Sequence, residues 1–347
     1  MYKSKVYKED LERICKEKLP YELLKGKTVL ITGANGLIGS CITDVLLELN
    51  RSFQYDIEIL ALCRNREKAE KRFGPYLAQN YFTLVHGDVT QPLPIKKKID
   101  YIIHAASNAH PLAYAAEPVE TMKANILGII HLLEHGKAYG LQRLLFLSSS
   151  EIYGDNIHHL SGFQEEELGY LNSMSDRACY PESKRAAEAL CVSYAREYQL
   201  DTVVARPGYI YGITMNEDNS RADIQFVRRA MEGKDIIMKS RGSQLRSYCY
   251  LSDAVTALFY ILLQGKSREA YNIANKDCNV TISEFAHTLA AEAGVKVVYD
   301  QPKELEQQGY TRVMNSVLNA DKLSALGWEA KIDLKTGIHR LLQGLTE

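Results

Sequence analysis

Tyr180 and Lys184 stand four residues apart in CYPESKRAAEALC, a run that reads as a helix opening near its proline. On a helix that spacing points both side chains the same way, and an ammonium beside a phenol favours the phenolate. A tyrosine so placed is a candidate base near neutral pH for a hydroxyl proton. Ser149 closes the apolar run RLLFLSS and supplies a hydroxyl to hold the same substrate oxygen in position for hydride transfer. An isolated Tyr-x-x-x-Lys is more often a surface pair on an amphipathic helix. Here it follows, in chain order, a second chemical feature and a serine-ended strand.

That feature is Gly33-Ala34-Asn35-Gly36-Leu37-Ile38-Gly39, between the apolar run KTVLIT and Ser40 to Leu49, which contains no glycine or proline. Glycines let a backbone turn sharply and approach a pyrophosphate, whose charge then meets the exposed amides and positive end of the following helix. A dinucleotide is the natural occupant.

The elements that must position these groups are legible as alternation. Short apolar runs, KTVLIT, IEILALC, YFTLVHG, IDYIIHA, RLLFLSS, DTVVARP and AYNIAN, are separated by helix-length segments, the pattern of a parallel sheet covered on both faces. Residues 1–25 read as an amphipathic lead-in, with Val6, Leu11, Ile14 and Cys15 at helical spacing and Pro20 as a stop, packed outside the main core. Past Arg206 the alternation weakens into polar, helix-rich pieces with loops, 212–244 and 279–347, expected to form a smaller lobe.

The chain has 347 residues, 46% hydrophobic and 24% charged, with 42 Lys plus Arg against 43 Asp plus Glu. This excludes disorder, and the balanced charge argues against nucleic acid or an anionic membrane as partner. No apolar run reaches the roughly 18 residues of a bilayer span, and MYKSKVYKED has no signal-peptide core, so a cytoplasmic location is expected. The seven cysteines form no CxxC pair, and the adjacent His158 and His159 have no ligand-spaced neighbours, so no metal is expected.

The glycine spacing GxxGxxG resembles that of the short-chain dehydrogenase/reductase superfamily, and further parts of its pattern follow in order. Asp88-Val89 after the third strand resembles the adenine-contacting pair. His104-Ala105-Ala106 ends the fourth strand, Asn125 lies in KANILG, and Ser149, Tyr180 and Lys184 complete the set. Length and the separate C-terminal lobe resemble the extended branch, the nucleotide-sugar epimerases, dehydratases and decarboxylases. The resemblance implies NAD as a recycled hydride carrier, contacted by Gly33, Asn35, Gly36, Leu37, Ile38, Gly39, Asp88, Val89, Ala105, Ala106, Asn125, Tyr180 and Lys184.

Three segments are similar to UDP-glucuronate decarboxylase patterns. HAASNAHPLAYAAEPVETMKAN, which contains Ser107, resembles HxASxAxPxxYxxxPxxTxKxN; DRACYPESKRAAE resembles RACYxxxKRxAE; and SSEIYGD resembles TSEVYGD. The last places Ser150 where 4,6-dehydratases carry an acidic proton donor, which disfavours dehydration, and puts Glu151 near the substrate's C5. The resemblance also assigns Arg246 to a diphosphate and Arg221 to the nucleotide side, with Ser107 and Ser150 as further substrate contacts. Two departures stand out. Tyr209, in RPGYIYG, replaces an asparagine of RxFNxxG, and one phenol cannot replace both donor and acceptor of an amide. Arg64, after the second strand, replaces the acidic residue that normally binds the adenosine ribose, and can accommodate the extra phosphate of NADP.

The expectation is an α/β, Rossmann-like, doubly wound parallel sheet with a smaller mixed C-terminal lobe. The dinucleotide domain takes 1–206 plus 248–274, and the substrate lobe 207–247 plus 275–347. By resemblance, helices near 118–137 and 181–198 pair two subunits into a homodimer. The expected activity is oxidation of a nucleotide sugar at C4 followed by decarboxylation, with Ser149, Glu151, Tyr180 and Lys184 as the catalytic set. The alternatives are 4-epimerisation, NADPH-dependent reduction of a keto-sugar or 4,6-dehydration, and a non-catalytic dinucleotide sensor.

Overall fold

The computed structural model describes residues 4–175, 177–215, 219–300 and 313–347. The first part of the chain runs through α1 (Lys5–Cys15), β1 (Thr28–Thr32), α2 (Leu37–Phe53), β2 (Glu58–Cys63), α3 (Arg66–Phe73), β3 (Phe82–His86) and β4 (Tyr101–His104). It continues with α4 (Pro111–Ala116), α5 (Pro118–Tyr139), β5 (Arg143–Leu147), α6 (Cys179–Tyr198) and β6 (Thr202–Pro207). Then come β7 (Tyr209–Tyr211), α7 (Ala222–Met231), β8 (Ile236–Met238), β9 (Leu245–Tyr250), α8 (Leu251–Gln264) and β10 (Ala270–Ile273). The remainder comprises β11 (Asn279–Thr281), α9 (Ile282–Ala293), β12 (Val297–Tyr299), β13 (Asn315–Ser316) and, among the helices, a C-terminal one at Leu334–Thr346.

Seven strands form one parallel sheet in the order β10-β6-β5-β4-β1-β2-β3. All seven lie within the apolar runs read from the sequence. Their continuous hydrophobicity follows from burial on both faces: Val29 and Ile31 join one core cluster while Leu30, between them, joins the other. Strand order reverses at the β1–β4 pair, so the connections leaving those strands part to opposite faces and open a crevice at their carboxyl ends.

The N-terminal helix departs from expectation. Val6, Tyr7, Leu11, Ile14 and Cys15 are buried in the larger core cluster, so α1 is part of the core and not a lead-in outside it. Its polar side chains also have inward partners. Tyr7 donates to Asp44 of α2 at 2.5 Å, Arg13 pairs with Asp253 at 2.7 Å, and Asp10 accepts from Tyr250 at 2.8 Å and Arg340 at 2.9 Å. The hydrophobic stripe was visible in the sequence, but its partners lie hundreds of residues away.

The lobe contains strands where helix and loop were expected. β9 is its hub, pairing with β7 and β13 in parallel and β11 antiparallel, while β8 pairs with β12. β9 runs across the expected boundary between 247 and 248. Tyr248 stacks on Phe285 of α9 at 4.5 Å, fastening the small sheet to its helix. Among the described residues no helix is long and apolar enough to cross a membrane.

Candidate functional site

The glycine turn sits at the crevice. Gly33 has φ of +64°, and a Cβ there would lie 2.8 Å from the Ala106 backbone; one on Gly39 would lie 2.3 Å from the Gly33 carbonyl. Only glycine lets β1, the loop after β4 and the start of α2 approach so closely. Gly36 is the N-cap of α2 and supplies no capping side chain, so the first-turn amides stay available to an anion. The crevice behind is fastened by Thr32, whose hydroxyl lies 2.7 Å from His104 Nδ1 and accepts from Ala106 N at 3.2 Å. Burial pulls His104 down to about 3, keeping it neutral.

These features fit a dinucleotide. Gly33, Gly36, Leu37, Ile38, Gly39, Ala105, Tyr180 and Lys184 line a cavity of about 420 Å³ between the sheet edge and the lobe. Asn35, Arg64, Asp88, Val89, Ala106 and Asn125 lie off that wall. Arg64 is exposed just past β2, Asp88 accepts from the amide and hydroxyl of Thr90 at 2.9 Å each, and Val89 is buried. Asn125 is buried and bridges two hydroxyls, Ser107 at 2.8 Å and Ser183 at 2.8 Å, so it ties the loop after β4 to the first turn of α6.

α6 begins at Cys179, so Tyr180 and Lys184 fall one turn apart on its inner face, both buried. Lys184 Nζ donates to the Leu147 carbonyl at 2.7 Å and lies 5.9 Å from the Tyr180 ring centre. Ser149 follows β5, facing the Tyr180 hydroxyl, and its own oxygen accepts from Glu151 N at 3.2 Å. The expectation that Lys184 makes Tyr180 acidic is not met by the protein alone. Burial, helped by Glu151, holds the phenol above its ordinary value, against weaker opposing pulls from Ser149, Arg177 and Arg221. The same burial pulls Lys184 down to about 7, because a desolvated ammonium is disfavoured.

Around this centre stand two residues not singled out from the sequence. Arg177 grips Glu151 through two contacts of 2.8 Å, and Tyr114 stacks on Tyr180 at 4.6 Å, with Arg177 over its other neighbourhood at 5.3 Å. Both sat inside the quoted segments RACY and PLAYAAEP; only folding shows that they converge. Ser107, Ser150, Glu151 and Arg221 line the large cavity. Arg221 is held by Asp223 and packs 5.3 Å from the Tyr209 ring centre. Arg246 lies elsewhere. It is buried, donates to the Leu245 and Val313 carbonyls at 2.8 Å each, and packs 5.4 Å from the Tyr209 ring centre.

The sequence profile of the NAD-dependent epimerase/dehydratase family matches residues 29–274. A UDP-glucuronic acid decarboxylase 3 of Arabidopsis thaliana is 32% identical over 314 residues, which is 89% of this chain and 86% of that one. In fold, the chain matches a UDP-glucose 4-epimerase of Thermotoga maritima solved with UDP-glucose (TM-score 0.78, 22% identity, 92% of this chain and 98% of that one). It also matches a UDP-glucuronic acid 4-epimerase of Bacillus cereus in complex with UDP-glucuronic acid and NAD (TM-score 0.77, 18% identity, 92% and 99%). The glycine turn, the Ser149–Tyr180–Lys184 centre and the extent of these matches lead to one conclusion: the chain is an enzyme of the NAD-dependent epimerase/dehydratase family.

Proposed function

We propose that the protein decarboxylates UDP-glucuronate through transient oxidation at C4. The observation that carries this reading is the end of β5. Ser150 stands there without the acid a dehydration needs, and Glu151 beside it is gripped by Arg177 on the cavity wall. The UDP-glucuronic acid decarboxylase relatives support the same substrate.

When bound, NAD supplies a hydride acceptor and a positively charged ring. Tyr180 takes the C4 hydroxyl proton as hydride leaves C4, and Ser149 orients the oxygen. Lys184 steadies Tyr180 and the cofactor ribose. The C4 ketone then stands beta to the C5 carboxylate. Breaking the C5–C6 bond releases carbon dioxide, its electron pair passes into the enolate at C4, and C5 gains a proton; the hydride then returns to C4 while Tyr180 gives its proton back to the C4 oxygen, so no net oxidation remains. Glu151, fixed by Arg177, positions the substrate or a water beside C5. Arg221 suits a phosphate of the nucleotide because its planar fork pairs with two oxygens.

The proposal includes a homodimer in the cytoplasm. Val119, Met122 and Leu127 of α5 and Val192 and Tyr198 of α6 leave an exposed apolar surface on two helices packed together, which supports pairing there. A second reading is NADPH-dependent reduction of a keto-sugar, favoured by Arg64 alone. Supplying UDP-glucuronate and measuring carbon dioxide separates them. Release without net consumption of reduced cofactor is expected. No release, or a stoichiometric demand for NADPH, removes decarboxylation.

A further inference from the structure

Arg206, near the end of β6, is a buried arginine to which the proposed reaction gives no part. Its planar fork pairs with both oxygens of Glu188, Nε at 3.0 Å and Nη2 at 2.6 Å. Glu188 stands one turn beyond Lys184 on α6. In the other direction Arg206 Nη1 donates to the Tyr153 hydroxyl at 2.9 Å and to the Glu165 carbonyl at 2.7 Å. Tyr153 closes the short turn Ser150–Tyr153 that follows Ser149, and it sends its own proton to Asn272 at 2.6 Å, so its oxygen accepts from Arg206. One guanidinium thus joins the helix of Tyr180 and Lys184 to the turn of Ser149 and Glu151.

The structure assigns to Arg206 a positioning role: through Glu188 and Tyr153 it holds the Tyr180–Lys184 face of α6 in register with the Ser149–Glu151 turn, and it keeps the Glu188 carboxylate paired. This rests on the reading that Ser149 and Tyr180 act on one hydroxyl, and it goes further by naming what fixes the two elements against each other. Arg206 also governs the charge beside Lys184. That amine faces Tyr180, Glu188 and Cys191 from α6, His104 from β4 and the Phe146 ring of β5 at 4.6 Å. Burial keeps the phenol, the thiol and the imidazole uncharged, so Glu188 is the charge among them. Without its guanidinium, that carboxylate would draw a proton onto Lys184. A lysine at 206 would supply the charge but not the fork, which separates charge from geometry.

The test follows the titration of Lys184 by NMR in protein labelled at the lysine ε-carbon and loaded with NAD, its signal identified by Lys184→Met. In parallel, nicotinamide absorbance is read on adding UDP-glucuronate. Arg206→Met is expected to raise the Lys184 midpoint by about one pH unit and to slow hydride transfer about tenfold or more. Adding Glu188→Gln is expected to return the midpoint to the wild-type value and leave the rate low. Arg206→Lys is expected to keep the midpoint within about half a pH unit of wild type yet stay about tenfold slow. An unmoved midpoint in Arg206→Met, a rise that survives Glu188→Gln, or wild-type rates in both Arg206 variants overturns the role. Should Arg206→Met not fold, Glu188→Gln alone decides: it leaves Arg206 unopposed and is expected to lower the Lys184 midpoint, and no change or a rise overturns the role. The midpoint is read without any sugar, so failure of the wild-type protein to oxidise UDP-glucuronate sinks the substrate reading alone.

Discussion

The two ends of the large cavity are built by different means. At the cofactor end, Gly33 to Gly39 are consecutive, and what they offer is backbone: a tight turn and the uncapped amides of α2. At the other end, where the sugar is proposed to sit, Tyr114, Glu151, Arg177, Tyr209 and Arg221 come from five separate segments and offer side chains. A backbone site tolerates almost no change but reads only the phosphates of the cofactor and says little about the substrate. A side-chain site is adjustable, and there this chain departs from the decarboxylase pattern.

Substitutions at the two ends should therefore differ in kind. Tyr180→Phe removes the proposed proton acceptor, and is expected to slow hydride transfer by about 10²–10⁴-fold, read from nicotinamide absorbance on adding UDP-glucuronate. Wild-type rates in that variant would end the assignment. Gly39→Val is expected to abolish retention of the dinucleotide, measured by mass spectrometry of the purified protein, because its Cβ would sit 2.3 Å from the Gly33 carbonyl. Retention at wild-type level would show that the turn can yield.

Lys184 gives a pH-dependent contrast. Its fold-imposed value of about 7 lies below the ordinary 10.5, so between these limits the unfolded chain binds the extra proton. The cost to stability is complete below about pH 7 and shrinks as pH rises towards 10.5. Lys184→Met is expected to be inactive yet more stable by on the order of a few kcal/mol at pH 6–7, with the gain fading by about pH 10. A pH-independent difference in unfolding midpoints would count against it. At the sugar end, Arg177→Met leaves Glu151 without its cation and is expected to lower stability by about 1–2 kcal/mol and carbon dioxide release more than hydride transfer. Equal losses in both would assign Arg177 to binding in general. The smallest effect belongs to exposed Arg64: Arg64→Ala should change stability by less than about 0.5 kcal/mol, and NAD affinity that stays put while NADP affinity falls would identify it as a phosphate contact.

The same contrast governs how much was legible beforehand. The large sheet was readable because each strand is buried on both faces and must be apolar along its whole length, a local property. The glycine turn and the Tyr180–Lys184 spacing were readable because their chemistry is contained within one turn of chain. The strands of the lobe were not: β7, β8, β11, β12 and β13 are each two or three residues long, too short for a period to declare itself, and they exist by pairing with distant partners. Likewise α1 advertised an apolar stripe, but nothing local says that Asp10 and Arg13 turn inward to Tyr250, Arg340 and Asp253.

What the residues determined by themselves is the sheet, the tight glycine turn and the one-turn spacing of Tyr180 and Lys184, since each depends on neighbours in sequence. Tertiary structure decided the rest. It set Tyr114 on Tyr180, closed Arg177 on Glu151 and brought the Arg221 and Arg246 guanidinium groups to 5.3 and 5.4 Å from the Tyr209 ring centre. It also settled that burial outweighs the pulls of Ser149, Arg177 and Arg221 at Tyr180. Desolvation and long-range packing belong to the assembled molecule, and no stretch of chain encodes them alone.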